Sequence, residues 1–205
     1  MAHLRATQKE MTRRLLLDAA MDRFLASGYA ATTVDEIASA AGTTRVTFYA
    51  YFPSKSEIIK ALITERLNDE LSRLRTPEST STIPGLVDAV ASGTREQIGA
   101  WIRETAAHWP VVRPIITISR AAQAVDPELT EVVDSWMDIA IGDVAAGLAK
   151  ADRFAPDCRR FLGALAMGQF DYVSQHWHEG DWGVGQERMC ELLTDSWVKL
   201  LGEPS

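Results

Sequence analysis

The chain has 205 residues, 46% hydrophobic and 24% charged, with a net charge of −7. That is an ordinary globular composition, long enough for one large domain or two small ones. No run of about 18 uninterrupted apolar residues is present, residues 1–9 lack the apolar stretch of a secretory signal, and the acidic balance argues against coating nucleic acid by bulk charge; a cytoplasmic protein outside any membrane is expected, with Cys158 and Cys190 as reduced thiols.

Helical spacing runs almost the whole length. Leu16, Leu17, Ala20, Met21 and Phe24 recur at the helix period over about residues 9–27, and Gly28 ends that helix. Short helices are expected over 33–40 and 44–51, the latter stopped by Pro53. A fourth is expected over 54–74, with Ile58, Ile59, Leu62, Ile63, Leu67, Leu71 and Leu74 as its apolar stripe. Residues 76–85 (TPESTSTIPG) read as a loop. Further helical patterns cover 86–91, 95–108, 111–125, 127–151, 156–178 and 186–201, broken at Gly93, Pro110, Asp126-Pro127, Pro156 and 180–185. With no alternating β pattern and no fixed repeat, the fold class is all-α. Charge follows the same order. Residues 1–75 hold 11 Lys and Arg against 9 acids; the remainder holds 10 against 19, together with all six tryptophans.

Residues 33–52, TVDEIASAAGTTRVTFYAYF, carry the informative motif. Two short helices meet at Gly42. Ala38 is small enough for close helix approach, and Ile37, Ala41, Phe48 and Phe52 are placed to pack the pair against the first helix. This is a helix-turn-helix layout, whose second helix enters a DNA major groove; an ordinary helical hairpin has the same spacing. Thr33 with Glu36, and Ser54 with Glu57, match the capping box, and Thr44 is placed to cap the helix between them. Such N-termini suit phosphates and also simply stabilise helices. Lys55 sits in the first turn of a helix, where the macrodipole disfavours a cation and a phosphate reverses that sign. The third helix presents Thr44, Arg45, Val46, Thr47 and Tyr49 with almost no acid. Arg45 suits guanine O6 and N7, Val46 and the Thr47 methyl suit thymine methyls, and Tyr49 and Tyr51 offer hydroxyls to phosphates.

The run LLDAAMDRFLASGYAATTVDEIASAAGTTRVTFYAYFPSKSEIIKAL, residues 16–62, resembles the DNA-binding domain of TetR-type (tetracycline-repressor-like) regulators. The resemblance rests on LLDAA and the following Phe and Gly, on TT and IA before AG, on FYAYF, and on PSK. It implies a three-helix DNA-binding domain over 1–54 and a larger helical ligand-binding and dimerisation domain over 55–205, with the helix at about 55–74 joining them. It further implies a homodimeric regulator, usually a repressor, that binds a palindromic double-stranded DNA operator and leaves it on binding a small-molecule effector. Carried over by position, Arg45, Val46 and Thr47 face bases, while Thr33, Thr44, Tyr49, Tyr51 and Lys55 touch phosphates. Val46 stands where the family often has a small residue, and Tyr51 where it often has His; both bear on operator preference.

After residue 75 the resemblance fades. Large apolar residues Trp101, Trp109, Ile116, Trp136, Met137, Met167 and Phe170 have polar Thr105, Ser119 and Asp171 among them. Taken singly each of these residues reads better as plain core, while for the set the resemblance favours a pocket for a mostly apolar effector. In the last two helical patterns Leu162, Leu165, Gln169, Val173, Leu193, Trp197 and Leu200 form the expected dimer face, in a four-helix arrangement. One of these two helices could instead be intramolecular core. The pair His176 and His178, two apart on a helix, points to opposite faces and does not make a metal site. No Walker loop, GxGxxG, GxSxG or HExxH motif is present, so neither catalysis nor a cofactor is expected. The competing reading is an all-α small-molecule-binding or interaction module without DNA binding.

Overall fold

The computed structural model describes residues 2–67, 85–177 and 182–202, with side chains from residue 6 onward. Among the described residues there are nine α-helices and no strand. They are α1 (Ala2–Ser27), α2 (Val34–Ala40), α3 (Arg45–Tyr51), α4 (Lys55–Ala61), α5 (Leu86–Ser92), α6 (Arg95–Gln123), α7 (Thr130–Lys150), α8 (Pro156–Gln175) and α9 (Gln186–Leu201). A π-helical stretch, Leu62–Leu67, continues α4, and a 3-10 turn, Pro127–Leu129, precedes α7. The all-α expectation holds. Leu71, Leu74, the expected loop up to residue 84, His178 and the first part of the break at 180–185 lie outside the described residues.

Two boundaries differ from expectation for physical reasons. Helix α1 starts at Ala2, well before the periodic residues, because its first turns are polar and offer no apolar period to read. Helix α6 passes through Pro110 and Pro114, where the sequence suggests two helices. A proline inside a helix removes the N–H that would bond the carbonyl four residues earlier. For Pro110 that carbonyl belongs to Ala106, and the side chain of Gln186 donates to it at 3.3 Å. Trp101, Ile102, Ala106, Trp109 and Val112 are buried along the helix up to that point. Burial of such side chains is worth about 1.5–3 kcal/mol each, against about 3 kcal/mol for the proline.

The chain forms two compact units. Unit one comprises residues 1–68 and 114–133, and unit two comprises 69–113 and 134–205. This division departs from an expected boundary at residue 54. Helix α4 lies within unit one, and α6 and α7 each contribute residues to both units. The core of unit one takes Leu16, Ala20 and Phe24 from α1, Ile37 and Ala38 from α2, Phe48 from α3, and Ile58 and Ile59 from α4. It also takes Ile118, Ala122 and Leu129, from a segment the sequence assigns to the second domain. In unit two, α7 and α8 approach closely at Gly163, where an added Cβ would stand 2.6 Å from the Ile141 carbonyl oxygen.

Candidate nucleic-acid interface

The α2–turn–α3 unit is assembled by local hydrogen bonds. Helix α2 begins on a complete capping box: the Glu36 N–H donates to Thr33 Oγ1 at 3.2 Å, and the Thr33 N–H donates to the Glu36 carboxylate at 2.8 Å. The Thr33 N–H, and after it the Thr33 hydroxyl at 2.9 Å, donate to the Glu36 carboxylate and hold it below its usual range. The helix closes in a Schellman arrangement. The Thr43 N–H donates to Ala38 O at 2.9 Å and the Gly42 N–H to Ser39 O at 3.0 Å, with Gly42 at φ +67°. Such a φ favours glycine, which explains the residue found at the turn. Helix α3 starts on Thr44, whose Oγ1 accepts from the Thr47 N–H at 3.2 Å. Ser54 caps α4 through the Glu57 N–H at 3.2 Å. Here the reciprocal half of the expected box is replaced, since Glu57 accepts from Lys60 at 2.8 Å.

Fully buried Phe48 and Phe52 anchor α3, so its other face is left to solvent. Val46 is 81% exposed, and Tyr49 and Arg45 stand beside it. Arg45 pairs with Asp35 of α2 at 2.8 Å, and its guanidinium lies 5.5 Å from the centre of the Tyr49 ring. The Asp35 carboxylate, followed by the Tyr49 hydroxyl, raises the arginine's pKa further. Both charged side chains are more than half exposed, so the pair separates at little cost. Thr47 and Tyr51 are half-buried, and Tyr51 packs against the core. Asp35 was not legible as a partner of Arg45, because ten residues and a turn separate them.

Lys55 is placed differently from its expected phosphate role. Its ammonium donates to the carbonyls of Tyr29 at 2.7 Å and Thr32 at 3.0 Å, reaches that of Ala30 at 3.4 Å, and lies 4.3 Å from the centre of the Tyr29 ring. All three donors of the ammonium are spent on the turn after α1. Burial lowers its pKa. The residue clamps that turn to α4, and this is a correction to the sequence reading.

Residues 16–62 match the family described as "Bacterial regulatory proteins, tetR family". The chain is similar to the HTH-type transcriptional regulator SrpR of Pseudomonas putida, 39% identical over 66 residues that cover 32% of this chain and 31% of SrpR. It is also similar to the uncharacterized HTH-type transcriptional regulator TtgW, likewise of Pseudomonas putida, 38% identical over 66 residues that cover 32% of this chain and 49% of TtgW. The match thus spans about a third to a half of these relatives' own lengths. The whole fold is shared with the solved structure of the flavonoid-responsive regulator FrrA, at TM-score 0.67 and 20% identity, covering 93% of this chain and 94% of that one.

Beyond residues 16–62, the remaining expected site residues divide between the units. Trp101, Trp109, Met167 and Phe170 are buried together in unit two. Phe170 is the hub of an aromatic cluster, its ring centre 5.2 Å from Trp101, 6.2 Å from Trp109, 5.4 Å from Trp177 and 6.2 Å from Trp197. Trp136, Met137 and Asp171 are half-buried in the same unit. Ile116 and Ser119 belong to unit one. The hydroxyls of Thr105 and Ser119 donate to the carbonyls of Trp101 and Ile115 in their own helix. Of the expected dimer face, Trp197 is completely buried and stacks on Trp101 at 5.4 Å, and Leu193 is buried too. Trp197 belongs to the core of unit two, which corrects its assignment to a surface, whereas Leu193 sits at the floor of a surface groove. Leu165 and Gln169 are exposed, and Leu162, Val173 and Leu200 are half-buried. Phe161, Tyr172 and Leu192 are exposed as well. Gln169, Tyr172, Val173, Leu192 and Leu193 line a shallow groove of about 380 Å³ along α8 and α9. Among the described residues no group of three or more His, Cys, Asp or Glu is placed to hold a metal, and no helix is long and apolar enough to cross a membrane.

Proposed function

We propose that the protein is a dimeric, effector-responsive transcriptional regulator that represses by binding a palindromic operator. The observation that carries this reading is the outer face of α3. A capped helix held from behind by Phe48 and Phe52 presents an 81% exposed valine, an arginine and a tyrosine side by side. Water gains nothing from an isopropyl group on such a surface, whereas a thymine methyl does, and a guanidinium next to it suits guanine. Thr33, Thr44, Tyr49 and Tyr51 supply the surrounding phosphate contacts in this reading.

Phe161, Leu165, Tyr172 and Leu192, each more than 40% exposed on α8 and α9, support a two-fold interface through those helices. A dimer is needed to hold two recognition helices about 34 Å apart, one DNA turn. Unit two, rich in buried aromatic side chains, is the effector-sensing part. The effector acts by population shift, favouring a dimer whose recognition helices no longer match successive major grooves.

The test is a gel shift with DNA from around the protein's own gene at fixed salt. Arg45→Ala is expected to lower affinity by about 10- to 100-fold, the equivalent of about 1–3 kcal/mol for one bidentate base contact, and to relax preference at one base pair. Absence of a specific shift, or an Arg45→Ala protein that binds as the wild type does, overturns the reading.

A further inference from the structure

We propose that the aromatic core of unit two takes a flat, uncharged aromatic molecule bearing hydrogen-bond acceptors, to which the indole N–H groups of Trp109, Trp177 and Trp197 donate. The inference rests on the reading of unit two as the sensing part and gives that site its chemistry. These three indoles are 3%, 3% and 0% exposed, and the N–H of each is buried without a hydrogen-bond partner. Buried donors are almost always paired, so three in one cluster call for an acceptor. All three rings contact Phe170, and Trp109 meets Trp177 at 5.7 Å. They arrive from different elements: Trp109 from α6, Trp177 just past the end of α8, and Trp197 from α9. An aromatic molecule entering between those elements would exchange ring contacts for equivalent ones.

Charge complementarity narrows the class. Among the described residues the only buried charged side chain in unit two is Arg153, and its guanidinium donates to the carbonyls of Leu201, Val90 and Ala91. An ion in this core would find no counter-charge. The buried hydroxyls of Ser174 and Thr194 donate to carbonyls of their own helices. The donors left to spend are the indoles, so the ligand's complement is an acceptor.

Quinoline and naphthalene test this directly, since they share size and shape and only quinoline carries an acceptor. The full chain is titrated with each, at a pH where quinoline is uncharged, following indole N–H signals by nitrogen-15 correlation spectra. Quinoline is expected to bind at least about tenfold tighter, equivalent to about 1.4 kcal/mol, and to move one or more of the three indole signals downfield. Single Trp→Phe variants at 109, 177 and 197 keep a ring; at the donating position the quinoline preference should collapse while naphthalene affinity persists. Equal affinity for the two probes overturns the proposal, and so does the absence of any indole response to either. The wild-type ratio decides even where a variant fails to fold. A gel shift on the same preparation separates the two readings. DNA binding without a probe response sinks this inference alone, and probe binding without a DNA shift sinks the regulator.

Discussion

Tyr29 joins more of unit one than any single contact suggested by its sequence position. Its ring is buried under the Lys55 ammonium, its carbonyl accepts from the same ammonium, and its hydroxyl donates to Asp126 at 2.6 Å. Burial, followed by the Asp126 hydrogen bond, pushes the phenol well above its ordinary range. The same bond is the main reason the Asp126 carboxyl is held below its ordinary range. A carboxyl whose folded pKa is depressed stabilises the fold above its unfolded value, about 3.9, and loses that contribution as pH falls through the lower folded value. Tyr29→Phe is therefore expected to cost about 1 kcal/mol at neutral pH, measured by urea unfolding. The difference from wild type should persist down to about pH 4 and shrink below it. A difference unchanged into strong acid would show that the bond to the carboxylate is not its source.

At the scale of elements, α6 tests whether packing can carry a helix through proline. Gln186 supplies the donor that Pro110 withholds from Ala106. Pro110→Ala restores the backbone N–H and is expected to stabilise the protein by about 1–3 kcal/mol. Gln186→Ala should cost about 0.5–1.5 kcal/mol in the wild type and nearly nothing alongside Pro110→Ala, a coupling that a double-mutant cycle by thermal or urea unfolding reads out. The helix-turn-helix behaves differently. Thr33, Gly42, Thr44 and Ser54 act on neighbours within five residues, so their caps and turn were readable in the sequence. Pro110 reads as a helix break in the sequence because its compensating donor, Gln186, lies far along the chain.

For the whole molecule, the distinction between buried and exposed apolar residues in α8 and α9 separates the side chains that fold unit two from those open to the proposed two-fold interface. Trp197→Ala removes a completely buried ring and is expected to destabilise the chain by about 3–5 kcal/mol, visible as a lowered unfolding midpoint. Leu192→Asp alters a side chain that is 47% exposed. It should leave the far-ultraviolet circular dichroism unchanged and, for the proposed dimer, shift sedimentation from dimer to monomer. A dimer that survives this substitution would place the interface elsewhere. The net charge of −7 belongs to this scale too. Its acidic excess falls after residue 75, and the region that carries α3 is slightly basic.

The amino-acid order alone determined the helical class, the caps of α2 and α3, the Gly42 turn and the outward residues Arg45, Val46 and Tyr49. Each of these follows from period, side-chain chemistry or backbone preference within a few residues. Only the tertiary structure decided that Lys55 closes on the Tyr29–Thr32 carbonyls and that Asp35 holds Arg45. It likewise decided that Leu129 completes the core of unit one and that Trp197 lies inside unit two. Those outcomes depend on which distant groups share a desolvated space. An apolar stripe such as Leu193 and Trp197 reads the same whether it covers a core or a partner, and a lysine reads the same whether carbonyls or phosphates accept its hydrogen bonds.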